Sequence, residues 1–243
     1  MAQKIYVVGI GPGAAEDMTG RAAAALSASD VIAGYQTYID LVRPAYPDKE
    51  YISNGMTKEV DRCRLALETA KGGKTVALIS SGDAGVYGMA GLMYQVATGS
   101  GGEIEVVAGI TAACSGAALL GAPLVHDFCL ISLSDLLTPW EAIEKRLDRA
   151  ADADFVIVLY NPGSHKRADY LQKACEIIGK YRAAATPAGL VRNIGRDGST
   201  AEITTLGDLA GCQADMLTTV FIGNSQTEVI DGRMVTPRGY RLV

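Results

Sequence analysis

Short apolar runs alternate with segments of helical period along the first half of the chain. Residues 5–10 (IYVVGI) are continuous and β-branched, which predicts a strand covered on both faces. A Gly-rich loop follows, and 21–28 (RAAAALSA) predict a helix. Residues 30–35 (DVIAGY) predict a second strand. Thr57 is placed to cap a helix in which Val60, Cys63, Leu67 and Ala70 share one face at 3-4-3 spacing. Residues 74–80 (KTVALIS) and 103–109 (EIEVVAG) predict two more strands, with the loop SGDAGVYG and a helix over 88–98 between them. Such alternation implies parallel βαβ units with right-handed connections.

The pattern restarts after Pro123. Residues 128–133 (FCLISL) predict a strand. Thr138-Pro139-Trp140-Glu141 reads as a capping box with Pro at the first helical position, after which Trp140, Ile143, Leu147 and Ala150 line one face. Residues 154–160 (DFVIVLY) predict a buried strand, and Ser164 is placed to cap a helix with Leu171, Ala174, Cys175 and Ile178 inward. Residues 187–193, 201–206 and 216–223 complete a second sheet, and Asp231-Gly232 predicts a two-residue hairpin within 229–235. Nothing in the middle reads as a linker. The expectation is two α/β domains, 1–118 and 119–243, joined by a packed bridge over 112–127.

The length of 243 residues allows two domains of about 120. A content of 49% hydrophobic and 20% charged residues is that of a globular protein, not a disordered one. The formal net charge of −5 argues against nucleic acid as a main partner. Cys63, Cys114, Cys129, Cys175 and Cys212 contain no CxxC pair, which points to a reducing compartment, the cytoplasm, and to buried packing roles. With His126 and His165 alone, a histidine-built metal centre is disfavoured, and no metal is expected. The uncharged run 106–125 is diluted by small residues and broken by Pro123, so it reads as buried strand, loop and helix, not a membrane span.

Beside the loop at 9–14, four small-residue loops at strand ends, two in each half, carry the candidate chemistry. Gly9-Ile10-Gly11-Pro12-Gly13-Ala14 resembles a dinucleotide loop, but Pro12 removes an amide donor, and Asp30 stands before the second strand instead of after it. A tight strand-to-helix turn explains the segment equally well. Ser80 to Gly88 holds three glycines and Asp83 at the carboxyl end of a strand, where α/β sheets place ligands; Asp83 either faces a ligand or caps the next helix. Gly109-Ile110-Thr111-Ala112 repeats that geometry, as do Tyr160-Asn161-Pro162-Gly163 and Arg192-Asn193-Ile194-Gly195-Arg196. A cleft between domains, favouring backbone contacts over charge pairing, suits a nucleoside attached to an amino acid. A triphosphate does not fit, since GxxxxGK[ST] is absent, and the missing GxSxG disfavours acyl transfer. His126-Asp127 at the bridge is either structural or catalytic. Ser132 and Ser134-Asp135 form a polar cluster or a strand end. Lys166-Arg167, Arg192, Arg196, Arg238 and Arg241 are candidates to pair with substrate carboxylates, against a reading as solvated surface.

The segments GIGPG, SSGDAGVYGMAGL, GITAACSGAALLGAPLVHDF, ISLSDLLTPWEAIEKRL, LYNPGSHKR, VRNIGR, DMLTTVFIGNS and VTPRGYRL together resemble the tetrapyrrole methylases across essentially the whole chain. ISLSDLLTPWE and the VTPRGY ending are similar to the branch that methylates C17 of precorrin-3B and contracts the ring. Asp83-Ala84 stands where many members of the wider family carry Asp-Pro, as in that branch. The resemblance implies two α/β domains of a non-Rossmann kind with an interdomain cleft, a homodimer, a tetrapyrrole (precorrin) substrate, and S-adenosylmethionine as methyl donor. It implies cofactor contacts at Gly82, Asp83, Val86, Thr111, Ala112 and Asn161, and at Asn193, Ile194 and Gly195 or Thr219. Pro12 would line the cleft near the tetrapyrrole, with Arg192 and Arg196 on its carboxylates. Asp83, His126 and Asp127 are the candidates for proton movement during ring contraction. A methylase acting at another carbon and a binding protein without turnover are the alternatives.

Overall fold

The computed structural model describes residues 4–55, 57–163 and 169–241. The chain divides into two compact units, Met1–Ala112 and Ala113–Val243. The first runs β1 (Lys4–Gly9), α1 (Gly20–Ala28), β2 (Val31–Tyr35), α2 (Gln36–Val42), β3 (Glu50–Asn54), α3 (Glu59–Lys71), β4 (Val76–Ser80), α4 (Ala90–Val96) and β5 (Glu103–Val107). Its strands are all parallel, in the order β3-β2-β4-β1-β5. In the dinucleotide-binding order the first two strands are neighbours. Here β4 lies between them, so the sheet is of another kind.

Successive strand residues point to opposite faces. Val7, Val31 and Leu78 pack with Cys63, Ala66 and Leu67 of α3 and Met93 of α4. Val8, Ile32 and Ile79 pack with Ala22 and Leu26 of α1 and Ile39 of α2. Both faces are covered, which is why the strands read as unbroken apolar runs. The path β1 to β3 and the path β3 to β5 run in opposite directions along the sheet, and right-handed crossovers therefore put the two helix pairs on opposite faces.

The second unit takes up α5 (Ala112–Leu120), β6 (Gly121–Ala122), β7 (Phe128–Ser132), α6 (Trp140–Asp152), β8 (Val156–Tyr160), α7 (Tyr170–Ile178), β9 (Pro187–Arg192), β10 (Thr200–Thr205), α8 (Leu206–Leu209), β11 (Thr218–Ile222), β12 (Glu228–Ile230) and β13 (Arg233–Val235). Its main sheet has the order β10-β9-β11-β8-β7, with β7 and β8 parallel and the other pairs antiparallel. A small sheet has the order β12-β13-β6, with β13 antiparallel to β12 and parallel to β6. The predicted hairpin turn is present, with Asp231 and Gly232 at φ +48° and +72°. Ile157, Leu159, Leu190 and Val220 meet Ile143 and Leu147 of α6 and Leu171 and Ile178 of α7. On the other face α5 lies close: a Cβ on Gly116 would come 2.8 Å from the Phe221 ring, and one on Gly189 would meet Leu120. This packing ties α5 to the second sheet, and the two compact units divide between Ala112 and Ala113.

Several local expectations are corrected. Helix α3 starts at Glu59 with Lys58 at its cap and no side-chain cap bond, while Thr57 lies outside it at φ +62°. Val60 is 41% exposed; the buried stripe is Cys63, Ala66, Leu67 and Ala70, joined by Arg62. Pro139 is the cap residue of α6, not its first helical residue, because its ψ of 142° is extended; its carbonyl accepts from Ala142 N–H at 3.0 Å. Cys114 is exposed. Cys63 and Cys175 are buried, and burial pushes their thiols up to about 11 and about 12. Ser164, Lys166 and Arg167 lie outside the described residues. The uncharged run resolves into β5, α5 and β6, and among the described residues no helix is long and apolar enough to cross a membrane.

Gly116→Ala gains helix propensity of about 1 kcal/mol but drives a methyl into the buried Phe221 ring. The expected net outcome is destabilisation by about 1–2 kcal/mol, read from the urea unfolding midpoint; a more stable variant would contradict the packing of α5.

Candidate active site

Because β4, β1 and β5 are neighbours, the loops that follow them lie side by side at the carboxyl edge of the first sheet. Gly11 and Gly82, at φ +78° and +68°, form an isolated bridge: Gly11 N–H donates to Gly82 O at 3.1 Å, and Gly82 N–H to Gly11 O at 2.7 Å. A Cβ on Gly9 would sit 2.6 Å from Gly82 O and 2.7 Å from Gly109 N, backbone atoms that cannot swing aside. Asp83 clips the arrangement. Its Oδ1 accepts from Gly85 N–H at 2.8 Å and its Oδ2 from Gly109 N–H at 3.0 Å. Both readings of Asp83, ligand contact and helix cap, omitted this bond between loops.

Above Gly82, a Cβ would lie 3.7 Å from Ala112 N and Thr111 Cα. The structure thus brings Gly82, Asp83, Thr111 and Ala112 together. Val86 is half-buried, and the adjoining Tyr87 is 56% exposed at φ +53°. Pro12 is buried. The dinucleotide reading fails here: Gly11 N–H is engaged, Pro12 has no N–H, and β1 and β2 are apart.

In the second unit, the carboxyl ends of β7, β8 and β9 share an edge with the amino end of β11. Asn161 (φ +52°) donates from Nδ2 to Ser132 Oγ at 2.9 Å, and Ser134 N–H donates to the same oxygen at 3.2 Å. The two serines therefore belong to a polar cluster. Tyr160 Oη accepts from Ala113 N–H at 2.8 Å, a contact that the YNP segment could have suggested. Asn193 (φ +51°) accepts on its carbonyl from Arg196 N–H at 2.9 Å, and Gly195 follows at φ +65°. Ile194 and Thr219 are buried. Arg192 is engaged by Glu202 at 3.4 Å and by the Gln213 carbonyl at 3.1 Å, and Arg196 is half-buried.

His126 and Asp127 are not at this edge. They precede β7, whereas Ser132 ends it, and five residues of strand separate the two edges by about 16 Å. His126 Nδ1 accepts from Asp127 N–H at 2.8 Å, and the Asp127 carbonyl accepts from Val156 N–H at 3.0 Å. His126 and Asp127 thus lie at the opposite end of β7 from Ser132 and the Asn161 turn. At the far edge Asp154 pairs with buried Arg182 at 2.9 Å and accepts from Ser225 N–H and Oγ at 2.9 and 2.7 Å. Burial raises the Asp154 carboxyl, but the Ser225 hydrogen bonds and the Arg182 charge outweigh it and hold the group below its ordinary range.

Residues 4–210 match the tetrapyrrole (corrin/porphyrin) methylases, and the chain belongs to this family. A cobalt-factor III methyltransferase of Priestia megaterium is 50% identical over 99% of this chain, which spans about half of that relative, 46%. A Salmonella typhimurium protein named "Probable cobalt-factor III C(17)-methyltransferase" is 49% identical over 98% of this chain and 100% of its own. Among solved structures, the methyltransferase CobJ is similar with a TM-score of 0.90 at 34% identity, covering 96% of this chain and 99% of that one. Among the described residues, no group of three or more His, Cys, Asp or Glu is placed to hold a metal ion.

Asp83→Ala leaves the Gly85 and Gly109 amides without their acceptor. The expected cost is about 1–3 kcal/mol of stability, with faster hydrogen exchange at both amides; unchanged exchange would show that the clip is dispensable. A carboxyl held below its ordinary value stabilises the fold above its unfolded pKa and loses that contribution as pH falls through the folded one. Asp154→Asn should therefore be less stable than the parent at pH 7, with the gap closing below about pH 4. Unfolding midpoints across pH 2–7 check this, and a constant gap would contradict it.

Proposed function

We propose that the chain is an S-adenosylmethionine-dependent C-methyltransferase of cobalamin biosynthesis that methylates C17 of cobalt-factor III and contracts the macrocycle. What carries this reading is the near-half identity to two relatives named for cobalt-factor III, one matched over its full length. The metal-free counterpart, precorrin-3B, is the alternative substrate. The enzyme is further proposed to be a cytoplasmic homodimer that needs no metal of its own.

The glycine-lined edge fits such a donor. The loops meet backbone to backbone at Gly9, Gly82 and Gly109, and the Gly11 and Gly82 amides bond each other's carbonyls, so this edge is built of small, uncharged groups. S-adenosylmethionine, when bound, supplies a methyl group on a sulfonium that a nucleophilic ring carbon can take in one in-line displacement. Gly82, Asp83, Val86, Thr111 and Ala112 are the proposed contacts in the first unit. Asn161, Asn193, Ile194, Gly195 and Thr219 are those proposed in the second. Asp83 acts by holding the loops in place, since each of its oxygens already accepts a backbone amide. Orientation does most of the work, because holding reacting atoms about 3–3.5 Å apart avoids most of the entropic barrier. Pro12 is carried as a substrate-side residue through the loop it stiffens. Arg192 and Arg196 are proposed to face the macrocycle's carboxylates.

The test is incubation with methyl-labelled S-adenosylmethionine and either cobalt-factor III or precorrin-3B. Label transfer with a spectral change is expected, faster with the cobalt substrate; binding of both ligands without transfer would overturn the enzyme reading. Arg196→Ala should weaken macrocycle binding about tenfold while leaving donor binding within twofold. Equal losses in titrations of the two ligands would contradict its placement.

A further inference from the structure

Arg192, the last residue of β9, stands at the sheet edge that also carries Asn161. Its guanidinium is held unevenly. One terminal nitrogen donates to the Gln213 carbonyl at 3.1 Å, a backbone acceptor that anchors the group. The other reaches a single carboxylate oxygen of Glu202 at 3.4 Å. A well-made bond between such charged groups spans about 2.7–2.9 Å and is often a two-pronged fork. Register explains the loose pairing. In the antiparallel ladder Arg192 lies opposite Thr200, and Leu190 lies opposite Glu202, so Arg192 and Glu202 are diagonal neighbours on one face. The Arg192 side chain is 30% exposed and that of Glu202 56%. The cation is therefore fixed and reachable, while its carboxylate partner is distant, single-pronged and open to solvent.

We propose that Glu202 is a stand-in for a substrate carboxylate: it occupies Arg192 in the absence of substrate and gives way when a carboxylate at the rim of the macrocycle takes its place. This rests on the methyltransferase reading above, in which Arg192 faces those carboxylates, and adds Glu202 as a determinant of macrocycle affinity. Exchanging one carboxylate for another keeps the guanidinium paired throughout. A substrate carboxylate that presents both oxygens gains the shorter, forked bond that Glu202 does not make. A ligand with a neutral rim gains nothing and leaves Glu202 in place, so the pair favours acidic macrocycles.

The experiment uses the full chain with Glu202→Gln, Glu202→Thr, Arg192→Ala and the double variant Arg192→Ala/Glu202→Gln. Cobalt-factor III binding is followed by absorbance titration at low and high salt, and S-adenosylmethionine binding by calorimetry. Removing the Glu202 carboxylate should tighten cobalt-factor III binding about fivefold, the factor that a favourable exposed ion pair is worth, and the gain should shrink at high salt. Glu202→Thr suits an edge strand and carries the test where Glu202→Gln misfolds. Arg192→Ala should weaken macrocycle binding about tenfold, and adding Glu202→Gln to it should change the affinity by less than about twofold. Donor binding should stay within about twofold in all four variants. Failure of both Glu202 variants to tighten macrocycle binding overturns the proposal. So does an equal gain in the Arg192→Ala background, which would make Glu202 one more charge in the general field. If Arg192→Ala leaves macrocycle affinity unchanged, the placing of Arg192 at the substrate fails and the stand-in falls with it. If the parent binds cobalt-factor III but transfers no methyl group, the enzyme reading fails while the binding comparison still decides Glu202. If the parent binds neither cobalt-factor III nor precorrin-3B, the stand-in falls.

Discussion

Gly9, Gly82 and Gly109 stand where three neighbouring strands end: a Cβ on Gly9 or Gly109 would run into the Gly82 carbonyl, and Gly82 itself is held at φ +68°. This crowding is the constraint on which the first unit's functional edge depends. Backbone amides that meet at such distances must find acceptors, since an orphaned buried N–H is costly. The Gly11–Gly82 bridge satisfies two of them, and the Asp83 carboxylate satisfies those of Gly85 and Gly109. One acidic side chain therefore joins loops that are 26 residues apart in sequence.

The second unit solves a similar problem differently. Its edge uses Asn161 and Asn193 in the left-handed region, a conformation that asparagine tolerates better than most residues. The turns that result carry amide side chains into the edge, where glycine would carry nothing. The strong charges lie at the opposite edge, where Asp154 meets buried Arg182. A buried ion pair of this kind is costly to break and contributes modestly when intact, which fits a role in holding β8 and the segment after β11 in place.

Much of the fold was legible because burial on both faces leaves continuous apolar runs, as in β1, β4, β8 and β11. The edge strand β3 was not, since its five residues alternate only weakly between cover and solvent, and neither was α2, which starts directly after a strand with no side-chain cap. The caps expected at Thr57 and Thr138 each stand one residue later, at Lys58 and Pro139, because cap chemistry depends on φ and ψ that composition does not encode. The glycine loops were visible as loops. That the first, third and fourth of the predicted strands are neighbours was not, because strand order is set by which face each crossover helix covers. The position of His126 was open to a stricter reading. It precedes a strand parallel to the one that Asn161 follows, and parallel strands send such residues to opposite edges.

Strand polarity of this kind also bears on the chemistry. The edges that gather the candidate ligand residues are rich in glycine, asparagine, threonine and serine, and the carboxylates of Asp83 and Asp135 are each engaged by a neighbour. Reactions that turn on general acid–base catalysis require a titratable group poised beside the reacting atom. A transfer between a sulfonium methyl and an already nucleophilic carbon requires placement above all, and its barrier falls chiefly through orientation. An edge poor in unengaged titratable groups and rich in fixed backbone is suited to the second kind of reaction, and the brace at Asp83 is what keeps it fixed.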